Sequence, residues 1–118
     1  MKTLFLVLAF TLVSSVSYAQ VVNPTTAAWD HASFSQSTGY EFGYFADATV
    51  AQPIQTAAVA KPATCAPCSS AFVLPSKPLG FGVFYLSVRA IAGTALSDWS
   101  NRVPFELRLA APVNLSVK

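Results

Sequence analysis

The chain predicts an all-β fold, and three observations carry that prediction. From Val83 to Ile91 the residues alternate with period two: Phe84, Leu86, Val88 and Ala90 share one side, Tyr85, Ser87, Arg89 and Ile91 the other. This is the pattern of a strand with one face on a core. After a turn at Ala92-Gly93-Thr94 and the stretch SDWSN, Val103, Phe105, Leu107 and Leu109 share the face of a second run. A Gly-containing loop between two such runs makes an antiparallel pair the simplest reading. No stretch has a helical period, and proline (8) and glycine (5) recur too often for one.

The first nineteen residues read as an export signal. Lys2 precedes an apolar run from Leu4 to Val13, and the small residues Ser17 and Ala19 precede a cut at Gln20. The run is well short of the ~20 residues that span a bilayer, and the residue at the cut is Gln20, not a Cys that would carry a lipid. This divides the chain into a signal peptide (1–19), a domain (20–110) and a C-terminal strand (111–118). The mature chain is expected to be secreted, extracellular or at the cell surface, with no membrane span.

Charge narrows the partners. The formal balance of +2 includes Lys2 and becomes +1 without it. With no basic cluster, binding to nucleic acid or acidic lipid is not expected. Charged residues make up 10% of the chain, against ~25% in ordinary globular proteins. So sparse a surface fits coverage by glycans, by a partner or by neighbouring copies.

The elements follow in order. Thr25, Ala27 and Trp29 alternate, a short strand ending in a core ring; His31, the one histidine, reads as a solvent-facing turn residue. In Gly39 to Ala46, Tyr40, Phe42 and Tyr44 share a face, which leaves Phe45 pointing outward as a contact surface. Thr49 to Ala60 holds one edge strand interrupted by Pro53, because proline is tolerated mainly at edges. Ser70 to Leu74 reads as the next strand, packing Phe72 or a neighbour inward. PSKPLGFG then turns the chain back towards Val83. The core anchors are Trp29, Tyr40, Phe42, Phe84, Leu86 and Val88.

At these positions the chain resembles the fibronectin type III family. The Trp29-Asp30 pair, the Gly39-Tyr40 opening, and Phe84, Leu86, Val88, Ala90, Gly93, Ser97, Trp99 and Ser100 carry the likeness. The resemblance implies an immunoglobulin-like, fibronectin type III-like β-sandwich of about seven antiparallel strands. It departs from the family at the corner tyrosine, which falls on Phe84 and has no hydroxyl. In the related cytokine-receptor domains a tryptophan stacks on strand arginines, which implies a structural clasp of Trp99 on Arg89.

A second departure concerns the first strand. The family places a strand of the type P-x-N-L-x-V before the Trp-bearing strand, yet Gln20 to Ala28 contains Pro24 and no alternation. The pattern stands at the other end as Pro112-Val113-Asn114-Leu115-Ser116-Val117. This predicts that the first strand is supplied by another subunit, by β-strand addition. Donor at one end and vacancy at the other make a head-to-tail contact that builds filaments. The alternative is that Pro112 to Lys118 is a frayed tail or an irregular local edge.

Chemistry is sparse. Cys65-Ala66-Pro67-Cys68 lacks the helix start of a redox dithiol and the further ligands of a metal site, so a disulfide pinning a loop is expected. Asn114-Leu115-Ser116 is a formal N-glycosylation sequon. No nucleophile–base pair and no facing carboxylates assemble. The sequence therefore predicts no catalytic residues, no enzyme, no metal and no cofactor. It points to a filament subunit whose partner is another copy of itself. The alternative is a monomeric adhesion module that binds surface proteins or glycans through the loops around Phe81, Thr94 to Trp99 or the Cys loop.

Overall fold

The structure, a computed structural model, describes residues 20–118. The expected signal peptide lies outside the described residues. Among the described residues eight strands form: β1 (Val21–Val22), β2 (Thr26–Trp29), β3 (Gly39–Phe45), β4 (Gln55–Val59), β5 (Cys68–Ala71), β6 (Gly82–Ala92), β7 (Ala95–Leu96) and β8 (Val103–Leu107). Among the described residues there is no α-helix, only a 3-10 turn at Phe34–Gln36.

The strands make two sheets. The larger runs β1-β8-β6-β3-β4, with β7 also paired to β6; the smaller is β2-β5 alone. All pairings are antiparallel except β1 on β8, where Val21 sits opposite Phe105. The expectation of about seven antiparallel strands is met by an all-β chain with eight, and is corrected in one respect: β1 pairs parallel to β8. β1 has no alternation because it is held by main-chain bonds at an edge, so its side chains stay exposed.

Period-two patterning accounts for the core. On β3, Tyr40, Phe42 and Tyr44 are buried, opposite Ala90, Val88 and Leu86 of β6. Phe84 lies opposite Phe105 of β8. From the smaller sheet Trp29 packs edge-on against Tyr40 and Phe42, with ring centroids at 5.1 and 5.9 Å. Phe72, just beyond β5, meets Phe105 at 5.0 Å and Phe42 at 6.2 Å. Tyr40, Phe42 and Phe105 thus form a buried cluster, while Trp29, Phe84, Leu86 and Val88 are half-buried around it. β5 forms at Cys68–Ala71 rather than Ser70 to Leu74, because Pro75 and the loop after Phe72 carry no ladder partner.

The Tyr44 hydroxyl donates to the Val73 carbonyl, which ties β3 to the segment after β5. His31, expected to face solvent, is half-buried. Its Nδ1 lies 2.8 Å from the Tyr40 hydroxyl, which is 3.2 Å from Ser37 Oγ. A buried phenol needs polar partners, and the turn after β2 supplies them.

Candidate functional site

Two unfinished features stand out, an unpaired strand edge and an unpartnered tail. β1, β2, β4 and β5 each keep an open edge, and that of β2 borders a cleft. Phe72 N–H donates to Thr25 C=O at 2.9 Å, which marks Thr25 as main-chain bonded towards β5. Bonding direction alternates along an antiparallel strand, so Ala27 and Trp29 also face β5. The N–H and C=O groups of Thr26 and Ala28 therefore point the opposite way, where the sheet has no further strand.

Beside that edge lies a cleft of about 480 Å³. Ala27, Ala28 and Trp29 of β2 form one wall, Leu86, Val88 and Val103 of β6 and β8 the other, and Tyr40 and Phe42 line it as well. The indole Nε1 of Trp29 is buried without a hydrogen-bond partner.

The tail begins at a clasp. Asn23 N–H donates to Glu106 C=O at 2.8 Å, and Asn23 Nδ2 donates to Arg108 C=O at 3.0 Å. In return Arg108 N–H donates to Asn23 Oδ1 at 2.9 Å. Asn23 adopts φ 48°, a left-handed conformation that Asn tolerates better than most residues. Glu106 and Arg108 add an ion pair at 2.9 Å, which holds the carboxyl below its ordinary range and raises the guanidinium. The clasp fixes the tail's root at the β1–β2 turn, the pole where β2 starts.

Beyond it, Val113, Leu115 and Val117 are 77%, 90% and 92% exposed. Pro112, Asn114 and Ser116 are exposed too. The expected strand at Pro112 to Val117 is not formed: no partner holds it, and Asn114 bends it at φ 59°. The sequon Asn114 is thus open to solvent.

The remaining site residues sit elsewhere. Arg89 Cζ lies 4.3 Å from the Trp99 ring centre, and Arg89 pairs with Glu41 at 2.6 Å. Ser97 and Ser100 explain Trp99's position: Ala90 N–H donates to Ser97 Oγ at 2.8 Å and Val88 N–H to Ser100 Oγ at 3.0 Å. These hydroxyls stand in for a paired strand along β6 and turn the indole back over the outer face. There it covers Phe45, whose ring it meets at 5.5 Å. Phe45 is fully buried, so the expected exposed contact surface is corrected. Arg102 caps the same ring at 3.7 Å. Sequence reasoning missed this cover, although Gly43, which gives the indole room, was a legible signal.

Cys65 and Cys68 are joined by a disulfide, with Cys68 buried in the core. Among the described residues no group of three His, Cys, Asp or Glu side chains could hold a metal, and no helix is long and apolar enough to cross a membrane. Comparison with known proteins gives no match to a family model, a curated protein or a solved structure.

Proposed function

We propose that this protein is a secreted structural subunit of an extracellular filament or surface assembly, without enzymatic activity. Its fold is read as a fibronectin type III-like β-sandwich that lacks the strand ordinarily paired with β2. Residues 111–118 supply that strand to the next copy, and the assembly grows head to tail.

One observation carries the reading. The same chain presents an unpaired β2 edge and an exposed segment whose apolar residues alternate at Val113, Leu115 and Val117. Exposed strand edges are liabilities that proteins ordinarily cover, and burying one apolar side chain contributes about 1.5–3 kcal/mol. Mutual satisfaction of edge and tail offsets both costs.

Negative-stain microscopy and sizing chromatography of residues 20–118 test it. Filaments that vanish when Ala111 to Lys118 is deleted are the expected result. Polymers that survive the deletion would remove the tail from assembly, and a discrete monomer would favour the adhesion module.

A further inference from the structure

We infer that the cleft beside β2 is an acceptor site for one extended peptide, residues 112–118 of a second copy. We further infer that it binds antiparallel to β2, with Leu115 opposite Ala27. This rests on the strand-donation reading and adds to it the site, polarity and register.

Antiparallel polarity, that of β5 on the other edge of β2, is part of this inference, and it decides which copy supplies the strand. A strand antiparallel to β2 enters beside Asp30 and ends beside Thr26. The chain's own tail is clasped by Asn23 at the Thr26 pole. To reach the entry it would travel the length of β2, roughly 13 Å for four residues, and then reverse. Leu109 to Ala111 cover about 10 Å at full extension and leave nothing for the turn. The antiparallel occupant therefore comes from another copy.

Register follows from three constraints. Thr26 and Ala28 offer their main-chain groups outward, and directly opposite residues in a ladder share a face. Their partners must then be the polar Asn114 and Ser116, which turns Val113, Leu115 and Val117 into the cleft. Proline has no N–H and is confined to strand starts or edges. A shift that sets Pro112 opposite Ala28 would delete a central bond, so that register is excluded. The opposite shift sets Leu115 against the Trp29 indole. With Asn114 opposite Ala28, Leu115 instead meets Ala27, where the small side chain leaves room before Phe42, Leu86 and Val88. Pro112 then lies at the Asp30 end, where its missing N–H costs one terminal bond.

Binding straightens the left-handed bend at Asn114, so the tail orders as it docks. Asn114 stays on the outer face beside exposed Ala28, and an N-linked sugar there is compatible with assembly.

Cysteine pairs in the full chain test the register. Ala28→Cys with Asn114→Cys should yield a covalent ladder on oxidation, with peptide mapping placing the bond between chains. Ala28→Cys with Ser116→Cys should lose that ladder. The reverse outcome would overturn the register, and a 28–114 bond within one chain would overturn the intermolecular assignment. Filaments without either cross-link would move the donor to another surface while leaving strand donation standing; monomers alone would remove the donation reading itself. As a second arm, Leu115→Asp should abolish polymers without shifting the monomer's thermal midpoint, because Leu115 is 90% exposed in the free chain. Polymers unaffected by that carboxylate would sink the apolar subsite.

Discussion

Gly43 lies beneath Trp99 so closely that a Cβ built on it would stand 2.8 Å from Cη2 and 2.9 Å from Cζ3 of the indole. The indole cannot retreat freely, since Phe45 and Arg89 hold it from either side. Gly43→Ala is therefore expected to cost about 1–3 kcal/mol, the usual range for overpacking. Urea unfolding measures it, and an unchanged midpoint would mean that the Trp99 cover is loose.

Removing the cover tests the same relationship from above. Trp99→Ala exposes Phe45 and leaves the Arg89–Glu41 pair without its stacking partner. A fully buried ring would cost 3–5 kcal/mol on truncation; half-buried Trp99 should cost about 2 kcal/mol. Tail-mediated assembly should be unaffected, because Trp99 sits on the outer face of the larger sheet. Loss of filaments at unchanged stability would place Trp99 in an interface instead.

Asn23 couples the tail's root to the β1–β2 turn. Asn23→Ala loses two side-chain hydrogen bonds and puts a less tolerant residue at φ 48°. At about 1 kcal/mol for each of the two bonds and 1–2 kcal/mol for the left-handed backbone, a loss of roughly 3–4 kcal/mol is expected. Hydrogen exchange should rise at the Arg108 amide, which would otherwise stay protected.

The alkaline side of the stability curve should belong to Tyr44. Burial raises its phenol well above the ordinary value of 10, so the folded state keeps a proton that the unfolded state releases. Its stabilising contribution is complete below pH ~10 and declines as pH rises beyond that, by about 1.4 kcal/mol per unit. Tyr44→Phe should flatten this decline. An identical slope in the variant would assign alkaline unfolding to another group.

Reducing Cys65–Cys68 should cost only about 2 kcal/mol, because the closed loop is very short. The reduced chain is expected to keep its β-rich circular dichroism spectrum. Complete unfolding in reductant would show that the disulfide fixes β5 against β2 rather than merely pinning a loop.

Legibility in the sequence tracked distance along the chain. The faces of β3 and β6 could be read because each residue's side is set by its neighbours, with a period fixed by strand geometry. The Gly93 turn was readable for the same reason. His31 and Phe45 were misread because their surroundings come from elsewhere: Tyr40 offers a hydroxyl to the one, and Trp99 folds across the other. Val21–Val22 was missed because a two-residue edge strand has no period at all.

For the candidate site the split is sharper. The alternation of Val113, Leu115 and Val117 and the lack of a patterned first strand are local facts, and the sequence alone determined them. That β2 keeps a bare edge, that a cleft opens beside it, and that Asn23 holds the tail's root at the β2-start pole were decided by the tertiary structure. Pairing is a choice among distant partners, set by which main-chain groups remain unbonded once every strand has found its neighbour.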